Sequence, residues 1–272
     1  MIRVGVFGAG GRMGREVCRA VDADPDLRLA AAVDPAFAGR DVSSLAGIDP
    51  AGGTRVVIAD DAEALLDAEV DVAVDFTVPT SVVENVRWCV RHAMHVVVGT
   101  TGLGQEHLAL IESLIEEEGR ESNVFVAPNF AIGAVLMMRF AEMAAAWFPD
   151  AEIIELHHAV KRDAPSGTSL ATLDKIVSGR RSSGGGTAPQ EVVETLPGAR
   201  GAERDGVRVH SVRLPGLVAH QEVIFGATGQ TLTIRHDSMD RTSFMPGVVL
   251  AVKEVSKHPG LTVGLERLLG LG

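Results

Sequence analysis

The sequence has little cysteine, with only Cys18 and Cys89 among 272 residues. Both fall inside patterns of helical periodicity, and a disulfide framework usually needs more cysteines and an oxidising compartment. We therefore expect two buried thiols in a cytoplasmic protein.

Long hydrophobic runs are missing as well. No stretch approaches the ~20 consecutive apolar residues that a membrane-spanning helix needs. The short apolar run at residues 2–7 is broken by glycine, which predicts a strand and not a signal peptide. We expect a protein without a membrane partner.

Positive charge is scarce, since 25 lysines and arginines stand against 36 aspartates and glutamates, for a formal net charge of −11. Proteins that bind nucleic acid usually present a basic field. The sequence therefore predicts no nucleic-acid partner. An anionic small molecule would need a local basic pocket.

What the sequence does contain is a regular alternation of strand and helix patterns through its first half. Continuous apolar runs predict strands at residues 2–7, 27–33, 55–59, 70–76, 95–98 and 123–127. Helical periodicity lies between them, at residues 12–21, 62–66, 81–92 and 105–118. Strands that are apolar throughout are typical of a parallel sheet covered on both faces. The first half is predicted to be a doubly wound, Rossmann-like α/β domain.

The pattern changes after residue 130. We predict, in chain order, a long apolar helix at 132–148, a strand at 151–158, a helix at 166–177, a polar loop at 180–206, strands at 207–214, 219–225 and 231–236, and a final helix at 247–257. Consecutive strands without intervening helices favour a mostly antiparallel sheet. The second half is therefore predicted to be an α+β domain.

Between the first strand and the first helix lies the loop Gly8-Ala9-Gly10-Gly11-Arg12-Met13-Gly14. Its glycines allow a tight turn and a close approach to a pyrophosphate, and the helix start offers N–H groups to that anion. Asp34 ends the second strand, where an acidic side chain accepts hydrogen bonds from the adenosine ribose. Strand, loop, helix, strand and acid in this order predict a dinucleotide site.

The nucleotide itself is indicated by charge. Asp34 favours NADH, because a carboxylate would repel the 2′-phosphate of NADPH. Arg12 could place a cation near that phosphate, whereas Pro35 places none directly after the acid. We expect NADH to be preferred, with some use of NADPH.

Two further segments end predicted parallel strands, Asp-Phe-Thr-Val-Pro at residues 75–79 and Gly-Thr-Thr-Gly at residues 99–102. Ligands of such sheets bind beyond the carboxyl ends of the strands, so both segments are candidates for the nicotinamide side of the cleft. The alternative carries equal weight, namely ordinary strand-to-helix turns in which threonine caps the helix.

Groups suited to proton transfer are concentrated in residues 155–168, Glu-Leu-His-His-Ala-Val-Lys-Arg-Asp-Ala-Pro-Ser-Gly-Thr. If the extended conformation continues past the strand, His157 and Lys161 point to the same side. The helix start at residues 166–168 would bind a carboxylate. These features favour reduction of a carboxylated C=N or C=C bond. The alternative is that the histidines only pack and the lysine is a solvated charge.

The other histidines, such as His210, His220 and His236, stand singly on predicted strands. None has the spacing of metal ligands with a partner, so we predict no metal site.

Taken together, the sequence resembles the 4-hydroxy-tetrahydrodipicolinate reductases (dihydrodipicolinate reductases) of bacterial diaminopimelate and lysine synthesis. The similarity covers the glycine loop and residues 75–79, 99–102, 127–130, 155–168 and 241–244. Its specific part is Glu-x-His-His-x-x-Lys-x-Asp-Ala-Pro-Ser-Gly-Thr. The resemblance implies NAD(P)H-dependent reduction of 4-hydroxy-tetrahydrodipicolinate to tetrahydrodipicolinate with loss of water.

The resemblance also implies roles for single residues. His157 and Lys161 would transfer protons as the catalytic pair. The candidate residues for binding a dicarboxylate substrate are His158, Lys161, Ser166, Gly167 and Thr168. The candidate cofactor-binding residues are Gly8, Ala9, Gly10, Gly11, Arg12, Met13, Asp34, Phe76, Thr77, Gly99, Thr100, Thr101, Ala127, Pro128, Asn129 and Phe130.

The domain organisation follows from the same resemblance. Residues 1–129 with 241–272 would form the dinucleotide-binding domain, and residues 130–240 a substrate-binding domain that assembles a homotetramer. Hinges near Asn129 and Asp240 would close the domains. Some relatives carry a basic residue where this chain has Pro35 and Val78, which weakens the case for tight 2′-phosphate binding. Nothing is assigned to residues 39–54.

Two other functions stay open on the sequence alone. One is an amino-acid or aldehyde dehydrogenase of similar build, which leaves the anion site at residues 166–168 unexplained. The other is a nucleotide-sensing protein that binds NADH without catalysis. The pairing of His157 with Lys161 speaks against it.

Overall fold

The computed structural model describes residues 1–48, 55–118, 121–183 and 193–271. Its contacts define two compact units, Met1–Phe130 with Arg241–Gly272, and Ala131–Asp240. The predicted second domain started at residue 130, but Phe130 lies in the first unit. The reason is packing, since its ring centroid is 5.9 Å from that of Phe76 and 6.0 Å from that of Phe125.

Strands and helices are numbered in chain order. The strands are β1 (Ile2–Phe7), β2 (Leu27–Val33), β3 (Val72–Asp75), β4 (His95–Val98), β5 (Val124–Val126), β6 (Asp150–His157), β7 (Ala202–Arg204), β8 (Val207–Arg213), β9 (Ala219–Ala227), β10 (Gln230–Ser238) and β11 (Leu261–Val263). The helices are α1 (Arg12–Ala23), α2 (Val42–Ala46), α3 (Glu63–Asp67), α4 (Pro79–Arg91), α5 (Gln105–Glu118), α6 (Ile132–Ala145), α7 (Gly167–Ser183) and α8 (Met245–Glu254). Short 3-10 turns lie at Pro35–Phe37, Arg241–Phe244, Val255–Lys257 and Leu265–Arg267.

The first unit is built on a six-stranded parallel sheet in the order β11-β5-β4-β3-β1-β2. Strands β3 and β5 are buried at every position, as expected where helices cover both faces. The predicted Rossmann-like α/β domain is confirmed. Its parallel strands direct their carboxyl ends, and the loops that follow them, to one edge.

One predicted strand of this sheet is wrong, because residues 55–59 make only isolated bridges, Val57 to Asp41 and Ala59 to Val33. The backbone hydrogen bonds of residues 58 and 59 go to two different segments. Ala59 N donates to Ala32 at 2.8 Å, whereas Ile58 N donates to Arg40 at 2.9 Å, so no continuous ladder forms. The sixth strand is instead β11, three residues between Gly260 and Gly264 that are too few to show a strand pattern.

The second unit contains a five-stranded sheet in the order β10-β9-β6-β8-β7. The β6–β8 pair is parallel and the other pairs are antiparallel, which confirms the mostly antiparallel sheet of an α+β domain. One face packs on α6 and α7 through a core that includes Ile153, Leu173, Ile176, Val223 and Phe225.

Two predicted helix ends and one predicted loop of the second unit are wrong. Helix α7 runs to Ser183, beyond the predicted end at residue 177, because it stays packed on α6. A Cβ at Gly179 would lie 2.1 Å from the carbonyl oxygen of Glu142. The predicted loop 180–206 also contains β7, and its residues 184–192 lie outside the described ones. Helix α6 ends at Ala145, three residues before the predicted end.

Residues 39–48 of the first unit, which the sequence left unassigned, contain α2, and residues 49–54 are not described.

Within the described ranges, no helix combines the length and the hydrophobicity needed to cross a bilayer. Cys18 and Cys89 are free and buried, as predicted. Burial raises the pKa of the Cys18 thiol to about 12 and raises that of Cys89 as well. Both thiols are unreactive packing groups at neutral pH.

The glycine loop owes its shape to two close backbone contacts. Gly8 has a φ of +71°, which glycine adopts without strain, and its carbonyl accepts from Gly11 N at 3.0 Å. At Gly14 a Cβ would lie 2.1 Å from Gly8 O and 2.8 Å from the Cα of Ala9. Gly14 therefore lets α1 start in direct contact with the loop.

Replacing Gly14 with alanine should lower the free energy of unfolding by about 1–3 kcal/mol, since the backbone must move away from the new methyl group. Gly11→Ala is the matched control. Gly11 is the N-cap of α1, and a Cβ there would lie 3.2 Å from its nearest neighbour, so it should lose only the N-cap preference, about 0.5 kcal/mol. Urea unfolding followed by circular dichroism measures both. Equal unfolding midpoints would contradict the packing role of Gly14.

Candidate active site

Asp34 links the end of β2 to the glycine loop. Its Oδ2 accepts from the backbone N–H of Gly10 at 3.0 Å, and its Oδ1 accepts from that of Ala36 at 3.1 Å. The predicted ribose-binding carboxylate therefore lies next to the loop and stabilises it. Each carboxylate oxygen has two lone pairs, so these bonds leave acceptor capacity for ribose hydroxyls.

Phe37 packs directly on the same loop, since a Cβ at Gly10 would meet its ring at 2.1 Å. Arg15 Nε donates to Gly10 O at 2.9 Å. The guanidinium carbons of Arg15 and Arg40 lie 5.4 and 5.9 Å from the centroid of the Phe37 ring, within the range of cation–π attraction. Sequence reasoning considered Arg12 as the cation near the nucleotide. It missed Arg15, three residues further along α1, and Arg40, which reaches the loop through its contact with the Phe37 ring.

Asp75, at the end of β3, is fully buried and holds two of the candidate cofactor segments together. Its Oδ1 accepts from Thr77 N at 2.8 Å, from Thr77 Oγ1 at 2.7 Å and from Thr100 Oγ1 at 2.9 Å, and its Oδ2 accepts from Asn85 Nδ2 at 2.7 Å. The two threonine hydroxyls therefore bind a carboxylate and do not cap helices. The N-cap of α4 is Val78, which makes no side-chain cap.

Aromatic contacts add the third segment to the same edge of the sheet. A Cβ at Gly99 would meet the Phe76 ring at 2.1 Å, and Phe76 in turn contacts Phe130. Ala127 N donates to Val98 O at 3.2 Å. The candidate residues of segments 76–77, 99–101 and 127–130 thus follow three adjacent parallel strands.

In the second unit, His157 is the last residue of β6 and is held by Glu155, which lies two residues earlier on the same face of the strand. Its Nδ1 lies 2.5 Å from Glu155 Oε2. The Glu155 side chain is completely buried, and Arg213 on β8 donates to both of its oxygens, at 2.8 and 2.7 Å. Ser166 N also donates to Oε1, at 3.3 Å.

These contacts set the charges at the end of β6. Burial alone would raise the pKa of Glu155, but hydrogen bonds from Arg213, Ser211 and His157 outweigh it and hold that pKa below its usual range. Burial lowers the pKa of His157, and the hydrogen bond and charge of Glu155 only partly oppose this effect. Glu155 is therefore a carboxylate and His157 a neutral imidazole at neutral pH.

Lys161 reaches this region by a turn and not by continued strand. The sequence predicted that an extended backbone would bring Lys161 to the same side as His157, but strand β6 ends at His157. His158 is exposed, and its carbonyl accepts from Lys161 N at 3.1 Å. The Lys161 ammonium donates to both oxygens of Asp163, at 2.8 and 2.9 Å. The alternation of side chains along a strand could not predict the direction of the Lys161 side chain, because the backbone turns after the strand.

The start of α7 is fastened to the sheet by buried polar side chains. Ser169 N donates to Ser166 Oγ at 3.2 Å, and the two serine hydroxyls are 2.9 Å apart. Ser169 Oγ donates to Gln221 Oε1 on β9 at 2.6 Å, and Gln221 Nε2 donates to Thr172 Oγ1 at 2.7 Å. Ser166 thus uses its hydroxyl as a cap, while Gly167 is exposed and Thr168 partly exposed at the helix start.

Sequence reasoning missed Arg213 and Gln221 as parts of this site, and it gave Glu155 and Asp75 no role. Glu155 had a usable signal, because residues i and i+2 of a strand share a face. No sequence signal indicated that Arg213 would be the partner of Glu155. Arg213 lies beside His157 only through the parallel register of β6 and β8. Across the described residues, no group of three or more His, Cys, Asp or Glu side chains could hold a metal ion.

Comparison with known proteins identifies the family. The family model for the N-terminus of dihydrodipicolinate reductase matches residues 2–130, and that for the C-terminus matches residues 133–269. The 4-hydroxy-tetrahydrodipicolinate reductase of Corynebacterium urealyticum is 48% identical over 271 residues, and that of Cutibacterium acnes is 50% identical over 271 residues. Each alignment covers 100% of both proteins.

A solved structure agrees with these relatives. The dipicolinate-bound dihydrodipicolinate reductase from Paenisporosarcina sp. TG-14 is 43% identical, with a TM-score of 0.83 and coverage of 98% of this chain and 99% of that one. An amine dehydrogenase from Mycobacterium smegmatis shares only the fold, at 18% identity and a TM-score of 0.63. The resemblance drawn from the glycine loop and the histidine–lysine run is confirmed, and the chain belongs to the dihydrodipicolinate reductase family.

Proposed function

We propose that this chain reduces 4-hydroxy-tetrahydrodipicolinate to tetrahydrodipicolinate, using NAD(P)H and releasing water, in diaminopimelate and lysine synthesis. The observation that carries the proposal is the contact of His157 with the buried Glu155 carboxylate at the end of β6, followed in the chain by Lys161 and the start of α7. Membership of the reductase family over the whole chain supports it.

The first unit suits a dinucleotide. No side chain caps the start of α1 at Gly11, so its first N–H groups can bind a pyrophosphate. The residues that would hold the nucleotide are those of the glycine loop, Asp34, and segments 76–77, 99–101 and 127–130. The nicotinamide of the bound cofactor supplies the hydride.

The second unit handles the dicarboxylate and the protons. His158, Lys161, Gly167 and Thr168 bind the substrate, and the backbone N–H groups at the α7 start hold one carboxylate. The protein is acidic overall, but in this segment the cations Lys161, Arg162 and Arg213 outnumber their partners Glu155 and Asp163. The 4-hydroxyl leaves as water in the reaction. His157 and Lys161 exchange protons with the substrate during these steps.

Turnover tests this assignment. The full-length protein should oxidise NADH or NADPH when freshly prepared 4-hydroxy-tetrahydrodipicolinate is added. A His157→Ala, Lys161→Ala double variant should lose about 10²–10⁴-fold in kcat, the usual contribution of positioned proton transfer. The matched control is a His210→Ala, Lys175→Ala variant, which removes a histidine paired with Glu152 and a lysine paired with Glu142 in the same unit.

Three results would contradict the proposal. Normal turnover by the His157, Lys161 double variant would refute the catalytic assignment. Nucleotide binding without turnover would favour a sensor. Activity confined to homoserine or aspartate would favour an amino-acid dehydrogenase.

We infer that NADH is the preferred nucleotide. Asp34 lies where the adenosine ribose binds, and a 2′-phosphate would approach its charge. Arg15 and Arg40 lie close enough to the loop to permit some NADPH use. Asp34→Asn should improve NADPH relative to NADH by roughly fivefold, the equivalent of about 1 kcal/mol for unit charges ~4 Å apart in water.

Fluorescence titration with both nucleotides, with and without pyridine-2,6-dicarboxylate, measures this preference. Asp67→Asn is the control, since it removes the same charge from an exposed position at the end of α3. A wild-type protein that binds NADPH more tightly than NADH would overturn the inference.

We also infer a cytoplasmic homotetramer assembled through the second unit. On the β6–β9 pair, Ile154, Leu156 and Ile224 alternate with the residues that face α6 and α7, and each is only partly buried. Apolar groups that stay partly exposed on a sheet face suit contact with another subunit. Sedimentation velocity should give four times the chain mass of 28.6 kDa, and a monomer would refute the inference.

A further inference from the structure

The Glu155 carboxylate is the meeting point of three separate segments of the second unit. It accepts from His157 at the end of β6, from Arg213 on β8 and from the backbone of Ser166 before α7. Arg213 continues the network, since its Nη2 also donates to the carbonyl oxygen of Asp163 at 2.7 Å. Asp163 in turn binds the Lys161 ammonium.

We propose that Glu155 and Arg213 act as a positioning pair that fixes the tautomer of His157, so that Nε2 is the nitrogen that exchanges protons with the substrate. The proposal deepens the reductase assignment and rests on it. Neither residue need touch the substrate. Glu155 acts through the imidazole, and Arg213 acts by keeping Glu155 in place.

The tautomer follows from the hydrogen-bond inventory around Glu155. Arginine and backbone N–H groups are donors only, so both carboxylate oxygens must accept from them. The imidazole then meets Oε2 at 2.5 Å, and an acceptor facing Nδ1 requires the proton on that nitrogen. A neutral imidazole with Nδ1 protonated carries its lone pair on Nε2.

Charged groups from three elements face His157. Glu155 on β6 raises its pKa, whereas Lys161 in the following turn and Arg213 on β8 lower it. The pKa of His157 lies below its usual value because burial adds to the two cations. Removing Glu155 should therefore lower this pKa further, and removing Arg213 should raise it. Opposite shifts from the two partners are a signature of direct electrostatic coupling.

Glu155→Gln tests the tautomer most directly. Two fixed donors, Arg213 Nη2 and Ser166 N, face the position of Oε1, whereas one, Arg213 Nη1, faces that of Oε2. The amide oxygen should therefore take the Oε1 position, and the amide N–H should face His157. Nδ1 must then accept, and the imidazole proton moves to Nε2. Nitrogen NMR of the full-length, 15N-histidine-labelled protein reads the tautomer, with His157→Gln identifying the signal.

Kinetics give the second readout. Glu155→Gln should lower kcat by about 100-fold, the lower end of the range for positioned proton transfer, and should move the His157-dependent limb of the pH–kcat profile to lower pH. Arg213→Met should also lower kcat but move that limb to higher pH. The double variant should lose little more than the worse single one, because both act through one imidazole.

Glu152→Gln is the matched control. Glu152 lies on the same strand and also accepts from a histidine and an arginine, His210 and Arg200, but on the opposite face of the sheet. Because that face is the one proposed for subunit contact, sedimentation velocity must show that the variant keeps the wild-type oligomeric state. It should leave the His157 tautomer and the pH profile unchanged and keep kcat within about twofold. If Arg213→Met does not fold, Arg213→Lys keeps the charge but cannot span both oxygens, and it should lower kcat without the upward shift.

A reduced kcat in Glu155→Gln with an unchanged tautomer and pH profile would overturn the proposal, and so would unchanged kcat. The NMR measurement needs no substrate. If the wild-type protein does not reduce 4-hydroxy-tetrahydrodipicolinate, the reductase assignment fails while the tautomer result still decides whether the pair orients His157.

Discussion

A carboxylate taken out of water must find a hydrogen-bond donor for each oxygen, because an uncompensated buried charge is far more costly than any single contact is favourable. Asp75 in the first unit and Glu155 in the second both obey this constraint, and both are completely buried. Each has one donor two residues away and others on segments that are more distant in the chain. The requirement to satisfy one carboxylate therefore brings several loops to a defined position.

The two carboxylates are satisfied by different donors, and the difference suits their surroundings. Among the described residues, the donors to Asp75 are neutral: Thr77 and Thr100, which follow β3 and β4, and Asn85 on α4. Such bonds fix loop shape without placing a cation beside the candidate nicotinamide site. Glu155 accepts from the Arg213 guanidinium, which keeps it ionised next to a histidine. The hydrogen bonds of Asp75 order the backbone, whereas those of Glu155 also act on the proton of the His157 imidazole.

In the candidate nucleotide site, one carboxylate likewise holds more than one backbone segment. Asp34 is placed by sequence position at the end of β2, yet in the folded chain it also supports the loop that it accompanies, through Gly10 N. Phe37 and its two arginines complete the surface around Gly10. Substitutions at Asp34 will therefore act on the loop as well as on ribose recognition.

The sequence by itself determined the parts whose cause is local. Apolar runs and helical periodicity specified the parallel sheet and nearly all of its helices, and the glycine loop, Asp34 and the run from Glu155 to Thr168 specified the family. Local pattern did not determine partners across the chain. Residues 55–59 look like a strand but divide their bonds between two neighbours, and β11 is too short to recognise. Arg213 reaches Glu155, and Lys161 turns toward Asp163, only because strand register and a turn place them there. Those contacts depend on pairings between distant segments, and such pairings arise only when the chain has folded.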